Sequence, residues 1–175
     1  MPEKQVVLKP QDLLIALKIA VGQSRNASYA RLGEELGMSA SEAHASVRRA
    51  TYSGFLSPQP DGMLADTAAL HEFIIHGVRY SFPPVFGPVT GGLPTAAAGP
   101  ALRQHFPGGD SGTMVWPSSP GSARGTALYP LYPSIPAAVE HDDALYRILS
   151  LVDAVRAGGA RERELAIVEL RTALA

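Results

Sequence analysis

Apolar residues recur at helical spacing from Gln11 to about Gln23. Leu13, Leu14, Leu17 and Val21 fall on one face, and Pro10 stands where a helix start tolerates proline. This predicts a first helix, followed by a loop at Arg25-Asn26-Ala27. Ser28 is placed to cap a second helix through Gly37, with Leu32 and Leu36 four apart. Ser39-Ala40-Ser41-Glu42 then matches a capping box, in which hydroxyl and carboxylate each satisfy a free amide. A third helix is expected to about Ser53, with Ala43, Val47 and Ala50 inward. Phe55 to Leu64 reads as a short proline-bearing hairpin with Asp61-Gly62 at its tip. Asp66 or Thr67 caps a fourth helix, whose apolar residues include Leu70, Phe73, Ile74 and Val78 and which ends before Pro83.

The pattern then changes. Eleven of the fifteen prolines and nine of the seventeen glycines lie between Ser81 and Pro136. Two short strands, Thr113–Trp116 and Thr126–Leu131, are expected there around a Pro-Ser-Ser-Pro-Gly-Ser turn. The aromatic and aliphatic residues Phe86, Leu93, Leu102, Phe106, Trp116, Leu128, Tyr129, Leu131 and Tyr132 give this stretch enough apolar surface to order it. Pro136 starts another helix with Leu145, Ile148, Leu149, Val152 and Val155 as its stripe. Gly158-Gly159 breaks it, and Arg161 to Leu174 forms the last helix, with Ile167, Leu170 and Leu174 inward. Three parts follow: residues 1–83, an irregular segment 84–136 with a short hairpin, and helices 137–175 for packing or dimerisation.

Composition narrows the options. The 175 residues carry a formal charge of −1, so no whole-chain basic field exists. Residues 1–57 hold seven cations against five acids, so the small positive excess lies over the first three helices. With no cysteine, disulfides, thiolate catalysis and thiol-based zinc sites are excluded. No apolar run reaches the length of a membrane span, and Met-Pro-Glu-Lys does not open a signal peptide. The expectation is a soluble, bacterial-type cytoplasmic protein without a membrane partner.

The run from Ser28 to Leu56 resembles a bacterial helix-turn-helix. Together with the first helix and the hairpin, residues 8–75 are similar to the winged-helix reading head of MarR-type transcriptional regulators. The resemblance implies a winged helix-turn-helix N-terminal domain; with the irregular middle, its short β-hairpin and the C-terminal helical pair read from the pattern above, the expected fold is mainly α. The stretch Leu128 to Pro136 and the run Ala160 to Glu164 also look like the tail of bacterial helix-turn-helix proteins of uncharacterised role, which implies no chemistry.

The residues support the same reading. Small Ala30 lets two helices cross closely, and Gly37-Met38-Ser39 makes the corner. Short side chains at Ser39, Ala40 and Ser41 let the third helix start approach a groove floor, where its amides favour phosphate. Ser41, His44, Ala45 and Arg48 are spaced to touch base edges, while Arg49 and Ser28 are within reach of phosphates. The hairpin from Ser57 to Met63 has two prolines and no Lys or Arg, which departs from the basic wings of the family. Two readings stay open. One is a sequence-specific regulator that binds double-stranded DNA as a homodimer. The other is a protein-interaction module, antitoxin-like or a complex-assembly subunit, which the neutral charge and uncharged wing favour.

Enzymatic leads are thin. Gly109-Asp110-Ser111-Gly112 copies a serine-protease nucleophile sequence without its histidine context, and a turn explains it. His71 and His76 are five apart, whereas a zinc helix needs four. His141-Asp142-Asp143 reads as a helix start. No phosphate loop is present, so no enzyme activity, metal or cofactor is expected. Trp116, Tyr129, Tyr132 and Phe106 pack the middle segment or line a site for a small effector or partner peptide; Arg103 and His105 nearby suit an anion.

Overall fold

The computed structural model describes residues 4–22, 24–107 and 112–175, and places eight helices and five strands among them. The fold is mixed α and β. Helix α1 (Pro10–Val21) is buried at every position from Asp12 to Ile19, so it is a central helix rather than an amphipathic surface one. Helix α2 (Tyr29–Leu36) ends at Gly37, whose φ of +66° is left-handed. A side chain there would also stand 2.7 Å from Ser134 Cβ. Two separate constraints thus select glycine at the corner. Helix α3 (Ala40–Tyr52) buries Ala43, Val47 and Ala50, as its spacing predicts, and Ser46 beside them.

Strands β1 (Leu56–Gln59) and β2 (Gly62–Ala65) form an antiparallel hairpin closed by Pro60-Asp61. Met63 N donates to Arg25 O at 2.9 Å, which ties the hairpin to the α1–α2 loop. Asp66 caps α4 (Thr67–His76) by accepting from Ala69 N, and a break at Gly77 separates α5 (Val78–Ser81).

The middle segment differs from expectation. A ten-residue strand, β3 (Phe86–Thr95), runs through Pro88, Gly91, Gly92 and Pro94. It pairs antiparallel with both β4 (Met114–Pro117) and β5 (Ala123–Leu128). The expected hairpin between the last two is therefore corrected: β4 and β5 pair parallel to each other, closing a three-stranded barrel. Prolines argue against a central strand because they lack a donor. Here Pro88 falls in the register shift between Phe86 and Val89. At Gly92 any Cβ would overlap the Trp116 carbonyl, so the curl of the barrel requires glycine there. Leu102, Trp116 and Leu128 are buried as predicted, while Phe86 and Tyr129 stay exposed.

The helix expected from Pro136 is two elements. α6 (Ile135–Ala138) is a single turn, and α7 (Asp143–Ala157) starts afresh with Asp142 accepting from Leu145 N. The last helix is α8 (Ala160–Ala173), with Ala166, Leu170 and Leu174 buried and Ile167 only half-buried. One hydrophobic core joins all three parts of the chain, from Leu13 and Leu17 through Leu102 and Trp116 to Ile148 and Leu170. Helix α7 is buried continuously from Ile148 to Arg156, so its surplus of apolar positions is absorbed within one chain.

Two ion networks, one half-buried and one buried, lock these parts together. Lys18 of α1 meets Asp142 at 2.6 Å and Glu35 of α2 at 3.0 Å. Burial pulls its pKa down, but the two carboxylates outweigh that and raise it overall. Under the barrel, Asp153 Oδ2 accepts from Trp116 Nε1 at 2.6 Å and Thr95 Oγ1 at 2.8 Å. Its Oδ1 accepts from Arg156 at 2.7 Å, and Arg156 Nε donates to Phe82 O at 2.8 Å. Among the described residues no helix is long and apolar enough to cross a membrane.

Candidate nucleic-acid interface

The outer face of α3 is built by subtraction. Once Ala43, Val47 and Ala50 turn inward against α1 and α2, helical geometry leaves Ser41, His44 and Arg48 outward. All three are exposed, and Ala45 is half-buried beside them. Ser39 caps the helix by accepting from Glu42 N at 3.1 Å, and Ser28 caps α2 by accepting from Arg31 N at 3.2 Å. Each hydroxyl keeps its own proton to donate outward. Arg48 has no ion-pair partner among the described residues.

Arg49 stands differently. Its guanidinium forks onto Asp12, with Nε to both carboxylate oxygens at 2.9 Å and Nη2 to Oδ1 at 2.8 Å. Nη2 also reaches Glu42 at 2.8 Å and the Ser46 hydroxyl at 3.1 Å. Asp12 is fully buried, and the Arg49 side chain is 18% exposed. The group expected to grip a phosphate is thus a buried acid's partner that holds α3 onto α1. The Glu42 carboxylate, expected to fold back onto the helix start, is drawn instead to Arg49, Gln11 and Ser46. The isolated Asp12 in an apolar helix was the available sign, because a buried acid needs a donor of opposite charge.

Two aromatic residues on this face were missed. Tyr29, at the start of α2, meets the His44 ring edge-on at 4.8 Å between centroids. Tyr52 lies one turn beyond Arg48 on the same face and is 72% exposed. Val6 comes alongside, so that Val6, Ala45, Arg48 and Tyr52 border a shallow notch of about 210 Å³. The hairpin adds no cation of its own. Arg25 approaches its tip, 3.8 Å from Asp61.

The carboxylates around α3 set its acid response. Glu42 is held below the ordinary glutamate value of 4.5 by Arg49 and Gln11, and Glu35 by Arg31 and Lys18. With depressed folded values, both contribute stability above about pH 4.5 and lose it as pH falls through those values. The urea midpoint is expected to fall from about pH 5 downward, and Glu42→Gln to flatten that fall. An unchanged pH slope in Glu42→Gln would contradict the assignment.

Other leads separate in space. His76 is exposed at the end of α4, whereas His71 is half-buried with Nε2 unpartnered. No group of three or more metal-ligating side chains occurs among the described residues. Gly109-Asp110-Ser111 lies outside the described residues. The aromatic residues of the middle segment do not converge: Trp116 packs on Tyr146, Phe106 lies under Arg161, and Tyr129 faces outward. Comparison with known proteins finds no matching family model, no matching curated protein and no matching solved structure.

Proposed function

We propose that residues 8–75 form a winged helix-turn-helix and that the chain is a sequence-specific transcriptional regulator of double-stranded DNA, with α3 in the major groove. The outer face of α3 carries this reading: Ser41, His44 and Arg48 stand exposed at helical spacing, and Arg48 has no ion-pair partner among the described residues. The order of three helices followed by a two-stranded hairpin agrees with it. Arg48 reads a base edge, the Ser28 and Ser39 hydroxyls meet phosphates, and Arg49 positions the helix. A single head covers few base pairs, so the working form is a homodimer on a two-fold site. Val85, Phe86, Val89 and Tyr129 are exposed on the barrel and available to such contact.

Selection from a random duplex library at low salt tests this. An enriched motif is expected. Arg48→Ala should then cut the preference for that motif over scrambled DNA by about tenfold or more, the worth of one bidentate base contact. Loss of binding in equal proportion on both DNAs would remove Arg48 from base reading.

A second reading is a protein-interaction module. Neutralised Arg49 and a cation-free hairpin tied to the α1–α2 loop favour it. Folded protein that enriches no sequence and binds no duplex at low salt would select this alternative.

A further inference from the structure

We propose that the cleft between the barrel and α6–α7 binds a small amphipathic organic cation, an apolar body bearing an ammonium group, and that occupancy is transmitted to the α2–α3 corner. The cleft holds about 540 Å³, the size of a small-molecule site. Its walls are apolar, with Leu93 from β3, Pro117 at the end of β4, and Pro136 and Val139 from the α6 segment. The prolines offer no amide donors.

The charged side chains lining the cleft are both acids. Glu140 and Asp143 are exposed at its rim, and neither has an ion-pair partner among the described residues. Ser118 and Ser119 are neutral. The Tyr146 hydroxyl already donates to Pro94 O at 2.6 Å, so Tyr146 offers its ring rather than a donor. Arg103 acts on Tyr146 through space but does not line the cleft, and neither does His105. An anion would meet two carboxylates with no cation among the lining residues. A neutral apolar ligand would desolvate those carboxylates without replacing water. A cation with an apolar body satisfies both the walls and the rim, and a tyrosine face adds attraction for ammonium.

The cleft wall is also the support of the helix corner. Ser134, just before α6, donates from Oγ to Leu36 O at 2.5 Å, satisfying a carbonyl in the last turn of α2. Ser134 Cβ abuts Gly37. Because α6 is a single turn, displacement of Pro136 and Val139 carries to Ser134. The site does not depend on α3 meeting DNA, since binding is read without it.

Titration of the full chain, followed by amide NMR, tests this with three probes of similar shape: 2-phenylethylamine, 2-phenylethanol and 3-phenylpropionate. The amine should give saturable shifts at Leu93, Val139, Glu140 and Tyr146, with a smaller shift at Gly37. The alcohol should bind about tenfold more weakly and the acid not at all. Glu140→Gln with Asp143→Asn, both exposed positions, should weaken the amine about tenfold and leave the alcohol unchanged. Equal shifts from all three probes, no saturable shift at millimolar amine, or an unaffected double variant would overturn the site. Cleft shifts without a response at Gly37 would overturn the coupling.

Discussion

Asp153→Ala is expected to lower the unfolding free energy by about 3–5 kcal/mol, the cost of removing one partner from a buried charge pair. The carboxylate is 1% exposed and takes three hydrogen bonds, from Trp116, Thr95 and Arg156. Its removal strands the indole N–H and the Thr95 hydroxyl inside the core and leaves Arg156, itself 4% exposed, without its counter-ion. The same carboxylate ties α7 to β3 and β4, so the loss should be global rather than confined to the barrel. Burial drives the Asp153 pKa upward, against the pull of Arg156 and the hydrogen bonds. Because the folded value is raised, proton uptake at Asp153 favours the fold fully below the ordinary aspartate value, and that linkage is lost as pH rises through the folded one. The hydrogen bonds from Trp116, Thr95 and Arg156 are the carboxylate's contribution at neutral pH. Asp153→Asn keeps an acceptor for Trp116 and Thr95 and removes the desolvated charge, so it should cost less than Asp153→Ala. Urea denaturation at neutral pH measures both. A shift below about 1 kcal/mol for Asp153→Ala would show that the network contributes little.

Arg49→Ala is expected to act on stability, not on phosphate contacts, and to cost about 2–3 kcal/mol. That lies below the full penalty of a buried pair because the guanidinium is partly solvated. Asp12 retains the Lys9 amide as donor at 2.8 Å but loses its cation while fully buried. Arg49→Lys should recover part of the loss, since an ammonium restores charge without the planar fork. For a duplex-binding protein the salt slope should stay near that of the parent once folding is accounted for. A phosphate-gripping arginine would instead reduce the slope by about one unit and leave the urea midpoint unmoved. Finding that second pattern would mean the Asp12 pair opens on DNA.

Much of the local structure was legible because it depends on near neighbours. The caps at Ser28, Ser39 and Asp66, the left-handed Gly37, and the inward stripe Ala43, Val47 and Ala50 follow from residue type and helical spacing. The exposed face with Ser41, His44 and Arg48 followed from the same periodicity. Tyr52, one turn past Arg48, falls on the same exposed face by that periodicity. Tyr29 depended on the crossing of α2 with α3, which periodicity does not report.

What spacing alone determined about this protein is where its helices begin, end and turn their apolar faces, since those depend on contacts within a few residues. Only the tertiary structure decided which charges are free. Arg48 and Arg49 are adjacent and chemically identical, yet one is exposed and the other is claimed by Asp12, 37 positions away in the chain. The same holds for β3, where prolines and glycines hide a strand whose partners lie beyond the next turn, and for Lys18 and Asp142. A buried carboxylate selects its donor by proximity in space, and a strand is defined by the backbones that pair with it. Neither quantity is local, so neither can be read from a pattern along the chain.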